Sequence, residues 1–309
     1  MKNQVFFYFL CMFVSLSWSQ QDVQYTHYMY NMSVINPAYS TGSHGAANLG
    51  VLYRRQWVGV EGSPSSASLF AHAPLGNNVE AGFTLQTDDI GDIIKEHNLS
   101  LDFAYKLRVS RFSTLSFGMK AGINVFNTNF SNLNFESGDF TSDPNFNENI
   151  NNTFVNIGVG AFYYTRNFYL GLSMPSLLNT EYLSKTNGLY EIAEERHIFL
   201  TSGYVYQLNK TLKLKPNVML KAVSGAPLIV DVNLNALYNE KVEFGLGYRL
   251  NDAFVAMINL RVNERLRIGY SYDYTSTKLN AFSNGSHEML LIYNLNLYSK
   301  GFNKSPRFF

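Results

Sequence analysis

The chain has 309 residues, of which 15% are charged and 15% aromatic, and its formal net charge is +1. Ordinary soluble domains carry about 25% charge, so this surface is short of charge and rich in rings. The near-neutral total excludes a global electrostatic footprint for nucleic acid, and no nucleic-acid partner is expected.

The first stretch, MKNQVFFYFLCMFVSLSWSQ, sets Lys2 before an apolar run and ends in small residues at Ser17 and Ser19. It reads as a secretory signal peptide over residues 1–19. The single cysteine, Cys11, lies inside it, so the mature chain is expected to hold no disulfide framework. No later apolar run approaches the ~18 residues that a spanning helix needs.

Residues 20–45, which end in QDVQYTHYMYNMSVINPAYSTGSHG from Gln21 to Gly45, are ring-rich but do not alternate. Asn36-Pro37-Ala38-Tyr39 reads as a turn, because proline biases its predecessor away from helix. This segment is expected at the periplasmic mouth of the architecture that residues 46–298 build.

Beyond residue 45 the chain alternates. In KVEFGLGYRL, residues 241–250, Val242, Phe244, Leu246, Tyr248 and Leu250 oppose Lys241, Glu243, Gly245, Gly247 and Arg249. Successive side chains on a strand face opposite sides, so this is a strand with one greasy and one polar face. The pattern recurs in NLSLDFAYKLRVS, TLSFGMKAGINV and RLRIGYSYDY. It gives fourteen segments: 46–56, 66–73, 78–86, 97–109, 112–125, 153–164, 167–174, 197–208, 211–223, 228–238, 241–250, 253–262, 265–274 and 287–298. Most are longer than the ~5–6 residues of an ordinary soluble strand and close to the length that crosses a membrane as a tilted strand.

The connections sort by parity. The even-numbered ones are tight, while several odd-numbered ones (87–96, 126–152, 175–196 and 275–286) are long. Short periplasmic turns and long extracellular loops mark a bacterial outer-membrane barrel. FYYTRNFY at 162–169, with Tyr204 and Tyr206, reads as one aromatic girdle, and Tyr270, Tyr272 and Tyr274 climb towards the other. The expected fold is all-β: a transmembrane antiparallel barrel of about fourteen strands over 46–298, with a periplasmic tail at 299–309.

Face assignment makes the lumen basic. Lys106, Arg108, Lys120, Lys213, Lys215, Lys221, Lys241, Arg249, Arg261, Arg265 and Arg267 point inward against Asp102, Asp231, Glu243, Asp273 and Glu288. The long loops are acidic. Two readings stay open: an acidic loop, with 130–148 as candidate, or a partner segment fills the bore; or the bore is an anion-attracting water channel.

Signals for chemistry are weak. The six histidines have no metal-ligand spacing, and neither a catalytic group, a cofactor site nor a metal site is expected. His287 and Glu288 are adjacent on a strand and so face opposite ways, which denies them a shared relay. Asp88, Asp89 and Asp92 read as a solvated loop in preference to a calcium site.

Several scattered pieces form an ordered set: YMYNMSVINPAYSTG, YRRQWVGVEGSPSS, TDDIGD, the Tyr248-Arg249 pair, RIGYSYDY, NGSHEMLLIY and the final SPRFF. Together they resemble the PorP/SprF family of type IX secretion system membrane proteins, over Gln21 to Phe309. Asp92 departs from the family pattern, which has a proline there. The resemblance implies a barrel in the outer membrane of Bacteroidota, without enzyme activity. It implies as partners other type IX secretion components, cargo with a C-terminal sorting domain and outer-membrane lipid, with gliding adhesins as cargo in some relatives. The partner-binding positions are then Asn36, Pro37, Tyr39, Arg54, Gln56, Trp57, Tyr272, Asp273, His287 and Glu288. The rival classes are a passive porin-like channel for small anionic solutes and an exported soluble β-sandwich.

Overall fold

The computed structural model describes residues 24–39, 46–129, 149, 151–178, 180–181, 193–194, 196–224 and 226–296. The expected signal peptide, the 130–148 candidate plug and the 299–309 tail lie outside them.

Fourteen antiparallel strands close into a barrel. In chain order they are β1 (Ala46–Arg55), β2 (Ser65–Pro74), β3 (Val79–Ile90), β4 (Ile94–Arg108), β5 (Thr114–Thr128), β6 (Asn151–Tyr164) and β7 (Phe168–Met174). Then come β8 (His197–Tyr204), β9 (Leu212–Val223), β10 (Ile229–Tyr238), β11 (Val242–Arg249), β12 (Ala253–Arg261), β13 (Leu266–Thr275) and β14 (Ser286–Asn296). Each strand pairs with its sequence neighbours. β1 pairs with β14 from Ala46↔Asn296 to Arg55↔His287, which closes the sheet on itself.

Alternation sets the two faces as the sequence implies. On β11, Phe244 and Leu246 are exposed on the outside while Glu243 and Arg249 are buried in the bore. On β4, Leu101, Phe103, Tyr105 and Leu107 face out, opposite buried Asp102 and Lys106. An exposed apolar belt around a buried polar interior is the reverse of a soluble domain and suits a lipid surround.

The segment expected as a loop at 87–96 is mostly strand. β3 and β4 remain paired through Asp88↔Glu96, Asp89↔Lys95 and Ile90↔Ile94, which leaves only Gly91–Ile93 as the turn. Charged residues end the greasy alternation there but do not end the backbone ladder. Gly91 (φ 66) and Asp92 (φ 57) make the turn in left-handed backbone, which proline cannot adopt. The non-proline residue at position 92 therefore fits its conformation.

The girdle reading of FYYTRNFY is corrected in part. Phe162, Tyr164 and Tyr169 are buried in the bore, because alternation turns every second ring inward.

Candidate functional site

The bore is occupied by the chain's own N-terminal segment. A fourteen-stranded barrel is wider than the roughly eight-stranded barrels whose side chains fill their own interior, so something else must fill it or water will. Residues 25–33 and 35–39 are all buried. This corrects the expected position of the described part, 24–39, from the mouth to the interior. The segment is made of two short 3-10 turns, Tyr28–Tyr30 and Met32–Val34, followed by a turn at Asn36. It carries no Asp, Glu, Lys or Arg, so it enters a charged bore without adding a buried carboxylate or ammonium of its own.

Its upper end is held near the extracellular rim. The Glu288 carboxylate accepts the backbone N–H groups of Thr26 (2.8 Å) and His27 (2.7 Å) and lies 2.7 Å from His27 Nδ1. Thr26 Oγ1 donates to Asp273 at 2.9 Å. Arg54 reaches Asp273 at 2.8 Å and Glu288 at 3.3 Å, and donates to Thr26 Oγ1 at 3.2 Å. Arg249 joins through Asp231 (3.2 Å) and Asp273 (3.6 Å).

The middle is held by polar side chains from the wall. Tyr28 Oη donates to Asn217 at 2.8 Å, and Tyr30 Oη donates to Glu243 while accepting from Arg267 at 2.7 Å. Ser33 Oγ lies 2.7 Å from His72 Nε2. Lys120 Nζ donates to the carbonyls of Ser33 (2.8 Å) and Val34 (3.2 Å) and sits 3.7 Å from Asp102.

The lower end packs against bare backbone. Asn36 Oδ1 accepts from Ala38 N at 2.9 Å, and its Nδ2 donates to Ala161 O at 3.1 Å. The Tyr39 N–H donates to Asn36 O at 3.0 Å, which closes the turn read from Asn-Pro. Gly118 and Gly160 admit this turn: a Cβ would fall 2.1 Å from Ala38 N at the first and 2.1 Å from Asn36 Oδ1 at the second. Tyr39 then meets Phe162 edge-on at 5.2 Å, and Phe162 stacks on Tyr169 at 5.5 Å. The inward rings of FYYTRNFY form this socket.

The basic lumen is largely self-neutralised. Lys106 pairs with Glu80 at 2.7 Å, Arg267 with Glu243 at 3.1 Å, and Lys213 with Glu240. Glu80, missed in the sequence reading, was recoverable by extending the parity of β3. Lys215 is buried over the Tyr30 ring at 5.9 Å. Arg108 and Arg265 lie exposed at the mouth. Beside the two readings left open for the bore, the structure supplies a third: a segment of this chain that carries no Asp, Glu, Lys or Arg.

The ten partner-binding positions therefore separate. Asn36, Pro37, Tyr39, Arg54, Asp273 and Glu288 belong to the segment and its sockets. Tyr272 and His287 sit outside on paired positions of β13 and β14, with rings 5.2 Å apart. His287 also lies 2.6 Å from Tyr270 Oη. Gln56 and Trp57 open the β1–β2 loop, where Trp57 (φ 47) donates its N–H to Ser286 Oγ at 3.1 Å. Adjacent residues of one motif thus serve opposite faces of one wall.

An antiparallel membrane barrel with an exposed apolar belt and a self-plugged polar bore defines an outer-membrane protein. Residues 17–293 match the family described as type IX secretion system membrane protein PorP/SprF, and the chain belongs to that family. It is accordingly an outer-membrane component of type IX secretion, with the fold of a membrane barrel and not of an enzyme class.

No curated protein matches the chain. Among solved structures it is similar to the Pseudomonas putida toluene transporter TodX (11% identity, 90% of this chain and 94% of that one, TM-score 0.50). It is also similar to the CymD monoaromatic hydrocarbon channel (10% identity, 87% and 93%, TM-score 0.51) and to a Pseudomonas aeruginosa FadL homologue (11% identity, 86% and 94%, TM-score 0.50). At these identities the likeness is one of fold.

Proposed function

We propose that this barrel holds particular exported proteins at the cell surface and meets other type IX components, and that it is not itself a conduit. Its cargo carries a C-terminal sorting domain, and a gliding adhesin fits that description. The observation that carries the reading is the filled bore: a barrel closed by its own N-terminal segment offers surfaces, not a path. Of the positions carried over from the family resemblance, Gln56, Trp57, Tyr272 and His287 remain at the extracellular rim or on the outer face, where cargo is met. The other six support them by fixing the segment and the wall. A passive channel for small anionic solutes would require the segment to leave the bore.

The test is quantitative mass spectrometry of secreted and surface proteins with and without the gene. Loss of one or a few sorting-domain proteins, rescued by the gene, is the expected result. An unchanged set of exported proteins with altered uptake of small anions would overturn it.

A further inference from the structure

We propose that three successive turns, β4–β5, β6–β7 and β8–β9, form a seat for anionic phospholipid headgroups in the periplasmic leaflet of the outer membrane. The proposal goes beyond the cargo reading and rests on the sidedness of the barrel. Short turns place these connections on the periplasmic side.

Each turn is closed by one of its own polar side chains, and a cation stands directly after that residue. In the first, Ser110 Oγ accepts from Phe112 N at 3.2 Å and leaves Arg111 at the tip. In the second, Thr165 Oγ1 accepts from Phe168 N at 3.1 Å and leaves Arg166 there. In the third, Asn209 Oδ1 accepts from the N–H groups of Thr211 (2.9 Å) and Leu212 (2.8 Å), with Lys210 between. Turns satisfied by their own Ser, Thr or Asn need nothing from the tip side chain. Arg108 lies beside Arg111 and donates to its carbonyl at 3.4 Å. All four cations are exposed, and among the described residues none of them makes an ion pair. Residues 107–113, 165–167 and 205–211 contain no Asp or Glu.

The same construction carries the opposite charge further round the rim. Asn263 Oδ1 accepts from Arg265 N and Leu266 N, each at 2.8 Å, but the tip is Glu264. Glu240 stands between β10 and β11 in the same way, and Lys213 is already paired with it. The rim is therefore cationic over the turns from β4 to β9 and mixed from β10 to β13.

Rings decide what the cations face. Phe112, next to Arg111, is 77% exposed. Tyr204 and Tyr206, shortly before Lys210, are 44% and 56% exposed, with ring centroids 6.5 Å apart. Exposed rings at the limit of an apolar belt sit in the headgroup region, so the cations beside them are held at the level of lipid phosphates. A soluble acidic partner would meet the cations but leave these rings uncovered. Six strands about 4.8 Å apart make an arc of about 24 Å, more than one small anion bridges. Separate headgroups at successive turns match that span, and a guanidinium pairs with phosphate through two parallel hydrogen bonds.

The test uses the full mature protein folded in zwitterionic detergent with equal amounts of phosphatidylglycerol and phosphatidylcholine of the same chains. Native mass spectrometry counts the lipids retained. Phosphatidylglycerol is expected to be favoured about fivefold or more, since an anionic surface attracts each nearby cation by about that factor. The triple variant Arg111→Gln, Arg166→Gln, Lys210→Gln is expected to bring the ratio within about twofold of one. A control triple, Lys95→Gln, Arg196→Gln, Lys278→Gln, removes three exposed cations from the extracellular side and is expected to keep the parent preference. Arg166→Gln with Lys210→Gln serves if the triple variant does not fold. Equal retention of the two lipids, or equal losses in both triple variants, would overturn the proposal. So would a twelve-residue glutamate peptide that displaces phosphatidylglycerol and is itself lost in the triple variant, an outcome that assigns the arc to an acidic polypeptide. None of these outcomes depends on which proteins the cell exports.

Discussion

Arg54 and Glu288 are cross-strand partners at the seam between the first and last strands, and their side chains meet at 3.3 Å inside the barrel. The same carboxylate accepts two backbone N–H groups of the N-terminal segment. Closure of the barrel and capture of the segment therefore share one group. Strand closure brings Glu288 to Arg54, and the segment completes the coordination of the carboxylate.

Glu288→Ala is expected to destabilise the folded protein by about 3–5 kcal/mol, because it leaves the Arg54 charge buried beside fewer acceptors. Denaturant unfolding in detergent measures it. His287→Ala, one residue away but on the outer face, is expected to cost less than about 1 kcal/mol.

Deleting residues 24–39 is expected to turn an electrically silent barrel into one with discrete conductance steps in a planar bilayer. A fourteen-stranded bore is wide enough to hold water once emptied. A deletion variant that folds but stays silent would show that something else closes the bore.

Gly118→Val is expected to unseat the lower end of the segment, since its Cβ would overlap Ala38 and overpacking of this kind costs about 1–3 kcal/mol. With cysteine placed at Met32, a buried position, maleimide labelling is expected to be slow in the parent and about tenfold faster or more in the variant. Equal rates would argue that the segment tolerates the clash.

Lys120→Met is expected to be strongly destabilising, by about 3–5 kcal/mol, because Asp102 is left buried without its cation and two segment carbonyls lose their donor. Adding Asp102→Leu is expected to recover much of that loss. Thermal unfolding of the single and double variants checks the sign of the coupling.

The sequence by itself determined the barrel. Period-two alternation over fourteen segments is a local property, written by each strand against lipid on one side and a polar interior on the other. The parity of loop lengths added sidedness, and the Asn36-Pro37 turn was legible from proline alone. Where charged residues interrupted the greasy pattern, at 87–96, the reading stopped early, because the backbone ladder outlasts the membrane-facing side chains. Only the tertiary structure decided what fills the bore. The segment at 24–39 has no period to read: Thr26, His27, Tyr28 and Tyr30 are held by Glu288, Asp273, Asn217 and Glu243, groups roughly two hundred residues or more away in the chain. The neutralisation of the lumen is more local, with Lys106–Glu80, Lys213–Glu240 and Arg267–Glu243 each 24 to 27 residues apart. Face assignment lists charges, but strand pairing and side-chain reach decide which of them meet, and closure of the sheet is what brings Arg54 to Glu288.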